Sequence, residues 1–498
     1  MRSVSSEITS QYNSDAATGL DKLKPRSSVS FLLIAILLIA LLLRVAVATH
    51  FPTFDWADEV FNTLEPAHHL AYGYGVVAWE WRLGVRSWVF PAFLAGVMRL
   101  TDWMGPGSFG YLSAIRFILS LLSLTTVWFG YVWGRRASGE AAAVIAAVTC
   151  AIWYELVYFA PKALNDVVAG HLLLPGLYLG MYGEVLPEKK RLFLAGLFLG
   201  AAVSMRMQLA PTVAFAAIYF CHKRWASRGP FLITGLLVPV AIFGLVDAAT
   251  WSYPFQSYFR YVKVVVLEGE GHGLIFGTSA WYWYPWMLAV HFFPLFLLAL
   301  VGIRRSHFLG WVAFIILASH SLFAYKEYRF IYPVMPILIT LAALGFVEFA
   351  EDFKAWANPN LSPKMIGVAG LIFCICASGF VAWKSPRRNP KATIAMDRLS
   401  IDSSVCGVGL YEVSWIRTGG YSHLHENVPI ILVQQKSELE AQIPGFNALL
   451  THGTFTDQKA RFKSEGCWNE VCVYRRPGPC IASSQYNEVN KVLRETGH

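Results

Sequence analysis

The sequence predicts a polytopic α-helical membrane protein: about eleven transmembrane helices, a large first outer loop and a small C-terminal α/β domain. Three observations predict it. The 498 residues are 55% hydrophobic and only 15% charged, with a mean hydropathy of +0.46. A soluble fold cannot hide that much apolar surface and still keep a polar exterior. Apolar runs long enough for a bilayer core of ~30 Å recur along the chain. Basic clusters alternate with those runs in one consistent sense.

The candidate spans are 31–48, 111–134, 141–160, 167–184, 192–205, 208–222, 230–248, 286–303, 308–324, 331–349 and 366–383. The pair around residue 200 is short enough to be re-entrant, and either way the chain returns to the side it left. Segment 88–104 is apolar but interrupted by Pro91, Arg99 and Asp102, which predicts an interfacial helix. Lys22, Lys24 and Arg26 precede the first span; Arg135 and Arg136 follow the second. Lys189, Lys190 and Arg191 follow the fourth, the 222–228 cluster the sixth, and Arg304 and Arg305 the eighth. All lie on one side if residues 1–30 form a cytoplasmic tail. Segments 49–110 and 384–498 then share the opposite side, lumen or periplasm. Much of the net charge of +9 sits in these short loops, so it points to no nucleic-acid partner.

Residues 384–498 contain the strand-like runs VCGVGL, PIILVQQ, NALLTH and EVCVYRR, separated by polar stretches. Gly407 and Gly409 fall short of a dinucleotide fingerprint. Of eight cysteines, Cys150, Cys221, Cys374 and Cys376 lie in apolar segments. Cys406, Cys467, Cys472 and Cys480 lie in the polar region, where disulfides are favoured over zinc if that side is oxidising.

The chemistry-bearing residues gather on the outer side. Asp58, Asn62, Glu65 and His69 follow helical spacing and are expected on one face, whereas Glu59 points about 100° away. Composition alone reads this as a solvated stripe, with Asp55 and Asp58 as helix caps. Asn165 and Asp166 sit between two spans, and Arg206 lies next to hydrophobic sequence. Snorkelling is the plain explanation for Arg206, yet ionisable groups at membrane depth are costly and commonly functional. Glu268, Glu270 and His272 are too loose a group for a metal site. Lys326, Glu327 and Arg329 in YKEYRFIYP read either as a loop with its own ion pair or as a phosphate clamp.

The order of motifs resembles the family 22 glycosyltransferases of the GT-C fold, which include the dolichyl-phosphate-mannose mannosyltransferases of glycosylphosphatidylinositol and N-glycan assembly. It is carried by DEVFNTLEPAHHLAYGYGVVAWEWRLGVRSWVFP from Asp58 to Pro91, by Asn165 and Arg206, and by Asp247, Trp251, Pro254, Phe255 and Tyr258. GTSAWYWY (277–284) and YKEYRFIYPVMP complete it, over about residues 30–350. Tyr325 departs from the family's His before Lys-Glu, and Ser279 and Tyr282 depart from histidines found in some members.

The resemblance implies a GT-C-like catalytic domain over 31–383, its active-site motif in the 49–110 loop. It implies transfer of a sugar, usually mannose, from a polyprenyl-phosphate donor to a lipid-linked glycan acceptor with inversion. Asp58 would be the base, with Glu59, Glu65, Asn165, Asp166, His272 and Glu327 contacting substrate. Arg206, Lys326 and Arg329 would hold the leaving phosphate. Without an Asp-x-Asp motif for a metal–nucleotide sugar, no cofactor or metal is expected. The expected location is the endoplasmic reticulum membrane in a eukaryote or the cytoplasmic membrane in a bacterium, with the active site on the lumenal or periplasmic side. Two other readings stand beside it. A secondary transporter would show a repeated half and charges near the midplane. A non-catalytic subunit of a glycan-assembly complex would fit the change at Tyr325.

Overall fold

A computed structural model describes residues 31–182, 186–268, 277–356, 362–384, 391–456, 461–468 and 470–496. The 1–30 tail, Glu270 and His272 lie outside them. The described part of every candidate span is mostly helical. Phe31–His50 is the first; Tyr111–Ile152 covers the second and the start of the third, bent where Ser138 and Gly139 leave helical geometry, with Gly139 at φ +80°, and the third continues in the short helix Tyr154–Phe159. Asn165–Met181, Glu188–Met205, Met207–Cys221, Trp225–Thr250 and His307–Ser321 follow the predicted order. Trp283–His291 and Leu295–Gly302 meet at 112°, so one predicted span is broken. Among the described residues five helices are long and apolar enough to cross a membrane, six if that bent pair counts as one.

Two local features explain how these helices pack. Gly196 and Gly200 let Glu188–Met205 approach Trp225–Thr250: a Cβ at either would meet the carbonyl oxygen of Leu232 at 2.0 Å or of Leu236 at 2.2 Å. Small residues four apart serve this purpose in membranes, where burial from water does not drive helices together. Arg44, inside the first span, is fully buried. Its guanidinium donates to Ser123 Oγ at 2.8 Å and to the carbonyls of Cys150 and Ala151, both at 2.9 Å. Those carbonyls belong to the last turn of a helix, where a cation satisfies orphan acceptors.

The C-terminal segment builds a five-stranded sheet from β1 (Val408–Tyr411), β2 (Ile430–Val433), β3 (Ala448–His452), β4 (Lys463–Trp468) and β5 (Val471–Arg475). The order is β2-β1-β3-β5-β4, with β2, β1 and β3 parallel and the last two strands antiparallel. The four apolar runs became β1, β2, β3 and β5. The fifth strand, KSEGCW, is a polar edge strand with an irregular register at Gly466, so no alternation announced it.

Disulfides join Cys406 to Cys480 and Cys467 to Cys472. The first closes a loop of sequence separation 74. Chain-entropy reasoning gives such a crosslink about 4 kcal/mol. Replacing Cys406 and Cys480 together by serine should therefore lower the thermal midpoint of the purified chain and speed proteolysis within 391–496. Unchanged melting and cleavage would refute this.

Candidate functional site

Within residues 49–110 the turn Ala57–Glu59 continues as a π-helical turn, Val60–Leu64, and then as the helix Glu65–Tyr72. The π turn carries an extra residue, so it rotates everything after it relative to Asp58. This breaks the common face expected for Asp58, Asn62, Glu65 and His69. Asp58 faces a cavity of about 840 Å³, whose polar lining includes Glu80, Arg86, Arg206, Glu327 and Arg329. Val265, Val266, Leu322 and Phe323 supply apolar wall, and Trp415 and Leu493 close it from the C-terminal segment.

Arg329 organises the polar wall. Its Nη2 donates to Asp58 Oδ2 at 2.8 Å, its Nη1 to Asp166 Oδ2 at 2.9 Å and its Nε to Glu327 Oε2 at 2.7 Å. Asp166 also pairs through Oδ1 with Arg206 Nε at 2.8 Å. Asp166 and Arg329 side chains are 1% and 3% exposed, and among the three carboxylates that Arg329 binds Asp58 is the most accessible at 29%, ahead of Glu327 at 19%. Burial pushes the Asp58 carboxyl up, but Arg329, with Arg86 and Arg206, outweighs this and holds it below its ordinary value. Tyr325, standing where the family has His, donates to Glu327 and so reaches the same network.

Several residues expected to contact substrate are engaged by protein partners in this structure. Glu59 points away from the cavity: Oε2 lies 3.5 Å from Lys162 Nζ and Oε1 accepts from Ala163 N at 3.2 Å. It ties the first loop to the turn before Asn165. Lys326 donates to the carbonyls of Ser279 and Phe323 and is 7% exposed, so it is not aimed at the cavity. Asp166 spends both oxygens on guanidiniums. Asn165 borders a smaller neighbouring void with Arg206.

Glu65 is fully buried against the C-terminal segment, rotated there by the π turn. Its carboxyl accepts from Ser422 N at 2.7 Å and Val76 N at 2.8 Å. Burial pushes its pKa up to about 7, against the pull of those amides. The folded state thus holds the proton more tightly than the unfolded chain. This contribution, on the order of 3 kcal/mol, is complete below the ordinary carboxylate pKa and is lost as pH rises through about 7. Between pH 5 and 8 the wild type should lose thermal stability relative to Glu65→Gln, which cannot titrate and keeps one of the two amide contacts. Parallel pH profiles would sink the assignment.

The spacing of motifs did not single out Glu80, Arg86 or Trp415. Glu80 and Arg86 stood inside the long first motif, matched as part of its WEW and RS letters, but no role was assigned to either. Trp415 carried no signal at all.

The family model described as the Alg9-like mannosyltransferase family matches residues 35–425. GPI mannosyltransferase 3 of Yarrowia lipolytica is 28% identical over 334 residues, 64% of this chain and 64% of that protein. GPI alpha-1,2-mannosyltransferase 3 of Homo sapiens is 24% identical over 344 residues, 66% of this chain and 60% of that protein. The chain thus spans less than two thirds of the length of these relatives. Among solved structures, ArnT from Cupriavidus metallidurans bound to undecaprenyl phosphate superposes with a TM-score of 0.60 at 11% identity, covering 92% of this chain and 100% of that one. The oligosaccharyltransferase of Archaeoglobus fulgidus gives 0.50 at 14% identity, covering 84% and 68%. At these identities the likeness is one of fold: a polytopic GT-C membrane protein.

Proposed function

We infer that this chain, which belongs to the Alg9-like mannosyltransferase family, moves mannose from a polyprenyl-phosphate carrier to a lipid-linked glycan, with inversion. One observation carries the reading. An accessible carboxylate, Asp58, held by Arg329, lines the same cavity as the guanidiniums of Arg86 and Arg206, and that cavity also has apolar wall. Asp58 accepts the proton of the acceptor hydroxyl as its oxygen bonds to the anomeric carbon. The bond from that carbon to the phosphate oxygen breaks, and its electron pair stays on the phosphate. Guanidiniums beside the leaving oxygen stabilise the charge that grows there. Asp166 and Glu327 act by holding Arg206 and Arg329 in position.

The relatives' names favour a glycosylphosphatidylinositol precursor as acceptor. The undecaprenyl phosphate named with ArnT favours a polyprenyl-phosphate ligand for this fold. We read the helices as eleven crossings, with residues 49–110 and the C-terminal sheet on the lumenal or periplasmic side, because the basic clusters then share the cytoplasmic side. Two disulfides in the C-terminal segment agree with an oxidising compartment. The test is incubation of membranes holding the protein with radiolabelled polyprenyl-phosphate mannose, glucose and galactose, followed by identification of the lipid-linked product. Mannosyl product with inverted configuration is expected. Labelling from another sugar alone, or retained configuration, would overturn the reading.

A further inference from the structure

The main cavity has two kinds of apolar wall. Val265, Val266, Leu322 and Phe323 offer the surface that a hydrocarbon chain uses. Phe61, Trp79 and Trp415 bring rings instead, and two of these are indoles. Phe61 follows Asp58 by three residues and lines the same cavity. Its ring meets Trp415 edge to face, with centroids 4.3 Å apart at 69°. Trp415 is thus one ring removed from the turn that carries the proposed base.

These rings are held from behind. The two tryptophans of WEW divide the work: Trp79 lines the cavity, while Trp81 is 4% exposed and donates to the Phe61 carbonyl at 2.9 Å. Trp415 opens the 3₁₀ turn Trp415–Thr418, and Thr418 Oγ1 donates back to the Trp415 carbonyl at 2.5 Å. Gly419 and Gly420 follow at φ +81° and +63°. A Cβ at Gly420 would meet Glu65 Oε1 at 2.8 Å, so glycine lets the turn settle on Glu65, whose carboxyl accepts from Ser422 N. Trp415 also packs against the apolar cores of the first loop and of the C-terminal segment, which by itself would make it a seam residue. Its donor tells more. Neither Trp415 Nε1 nor Trp79 Nε1 has an acceptor among the described residues, and neither nitrogen is enclosed by protein. A tryptophan placed only for packing hides its ring and pairs its N–H.

A pyranose ring carries a face of C–H groups and a rim of hydroxyls. An indole matches both: its electron-rich face takes the C–H groups, and its N–H donates to a hydroxyl. A hydrocarbon chain uses only the first of these. We propose that Trp415, together with Trp79, seats the terminal sugar ring of the acceptor and presents its hydroxyl to Asp58. The proposal rests on the mannosyl transfer inferred above. It gives the C-terminal segment a part in the reaction: that segment brings the acceptor platform to a base carried by the first loop.

The test is initial-rate kinetics of the purified full chain in detergent. Polyprenyl-phosphate mannose and a synthetic, mannose-ended glycosylphosphatidylinositol precursor are varied in turn. Trp415→Ala should raise the KM for this acceptor roughly tenfold and shift the KM for the donor by less than about twofold. Trp415→Phe keeps a ring and should recover part of the loss; Trp415→Leu fills the seam without a ring and should not. Should Trp415→Ala fail to fold, Trp79→Ala decides, with a rise of about threefold or more in the acceptor KM. If the folded variants keep the wild-type acceptor KM, or if both KM values rise together, while wild type transfers mannose, the tryptophans only pack the wall; this proposal then falls and mannosyl transfer stands. If wild type transfers no mannose from the polyprenyl donor, both fall.

Discussion

Asp58→Asn should lower mannosyl transfer by roughly 10²- to 10⁴-fold while leaving undecaprenyl phosphate binding close to wild type. Asparagine keeps the shape and can still accept one hydrogen bond from Arg329 Nη2, the partner of Asp58 at 2.8 Å. What it loses is the ability to take a proton. Asp58→Ala should be equally inactive. The arginines around it add a pH signature. Because they outweigh burial and hold the Asp58 carboxyl below its ordinary value, the group is ionised across the neutral range. The acidic limb of kcat/KM should therefore lie below the ordinary carboxylate range. Near-normal turnover by both variants, or an acidic limb near pH 6 to 7, would remove Asp58 from the chemistry.

Arg329→Met should destabilise the protein by about 3–5 kcal/mol, because it leaves the buried carboxylates of its network uncompensated. One guanidinium serves Asp58, Asp166 and Glu327 at 2.8, 2.9 and 2.7 Å. A planar fork can do this, and a lysine ammonium cannot span the same three directions. Arg329→Lys should thus recover part of the stability and little of the activity, since Asp58 loses its fixed orientation. Thermal unfolding of purified protein separates this from a simple donor-binding role. If Arg329→Met melts like wild type and is defective only in donor affinity, Arg329 is a clamp and not the organiser of the site.

Much of the fold was legible because membrane spans and buried parallel strands are both written as apolar runs. The span 286–303 was read as one helix, yet it breaks into two pieces at 112°; a local break leaves the apolar composition unchanged. The site was partly legible for a related reason. Asp58, Asp166, Arg206 and Arg329 are charges beside apolar sequence, and single-sided topology brought their loops together before any coordinates did. Helical periodicity then misled at one point. It assumed an unbroken 3.6 repeat from Asp58 to Glu65, and the π turn Val60–Leu64 sends Glu65 to the C-terminal segment instead. Lys326 donates to the carbonyls of Ser279 and Phe323, contacts that composition does not record.

The most direct measurement gives the purified protein a lipid-linked glycan acceptor together with either polyprenyl-phosphate-[³H]mannose or GDP-[³H]mannose, each with and without EDTA. Label is expected in the glycan from the polyprenyl donor alone, with and without chelator, and lost in Asp58→Asn. Label arriving from GDP-mannose alone, or from neither donor, would contradict a lipid-phosphate mannosyltransferase built around Asp58.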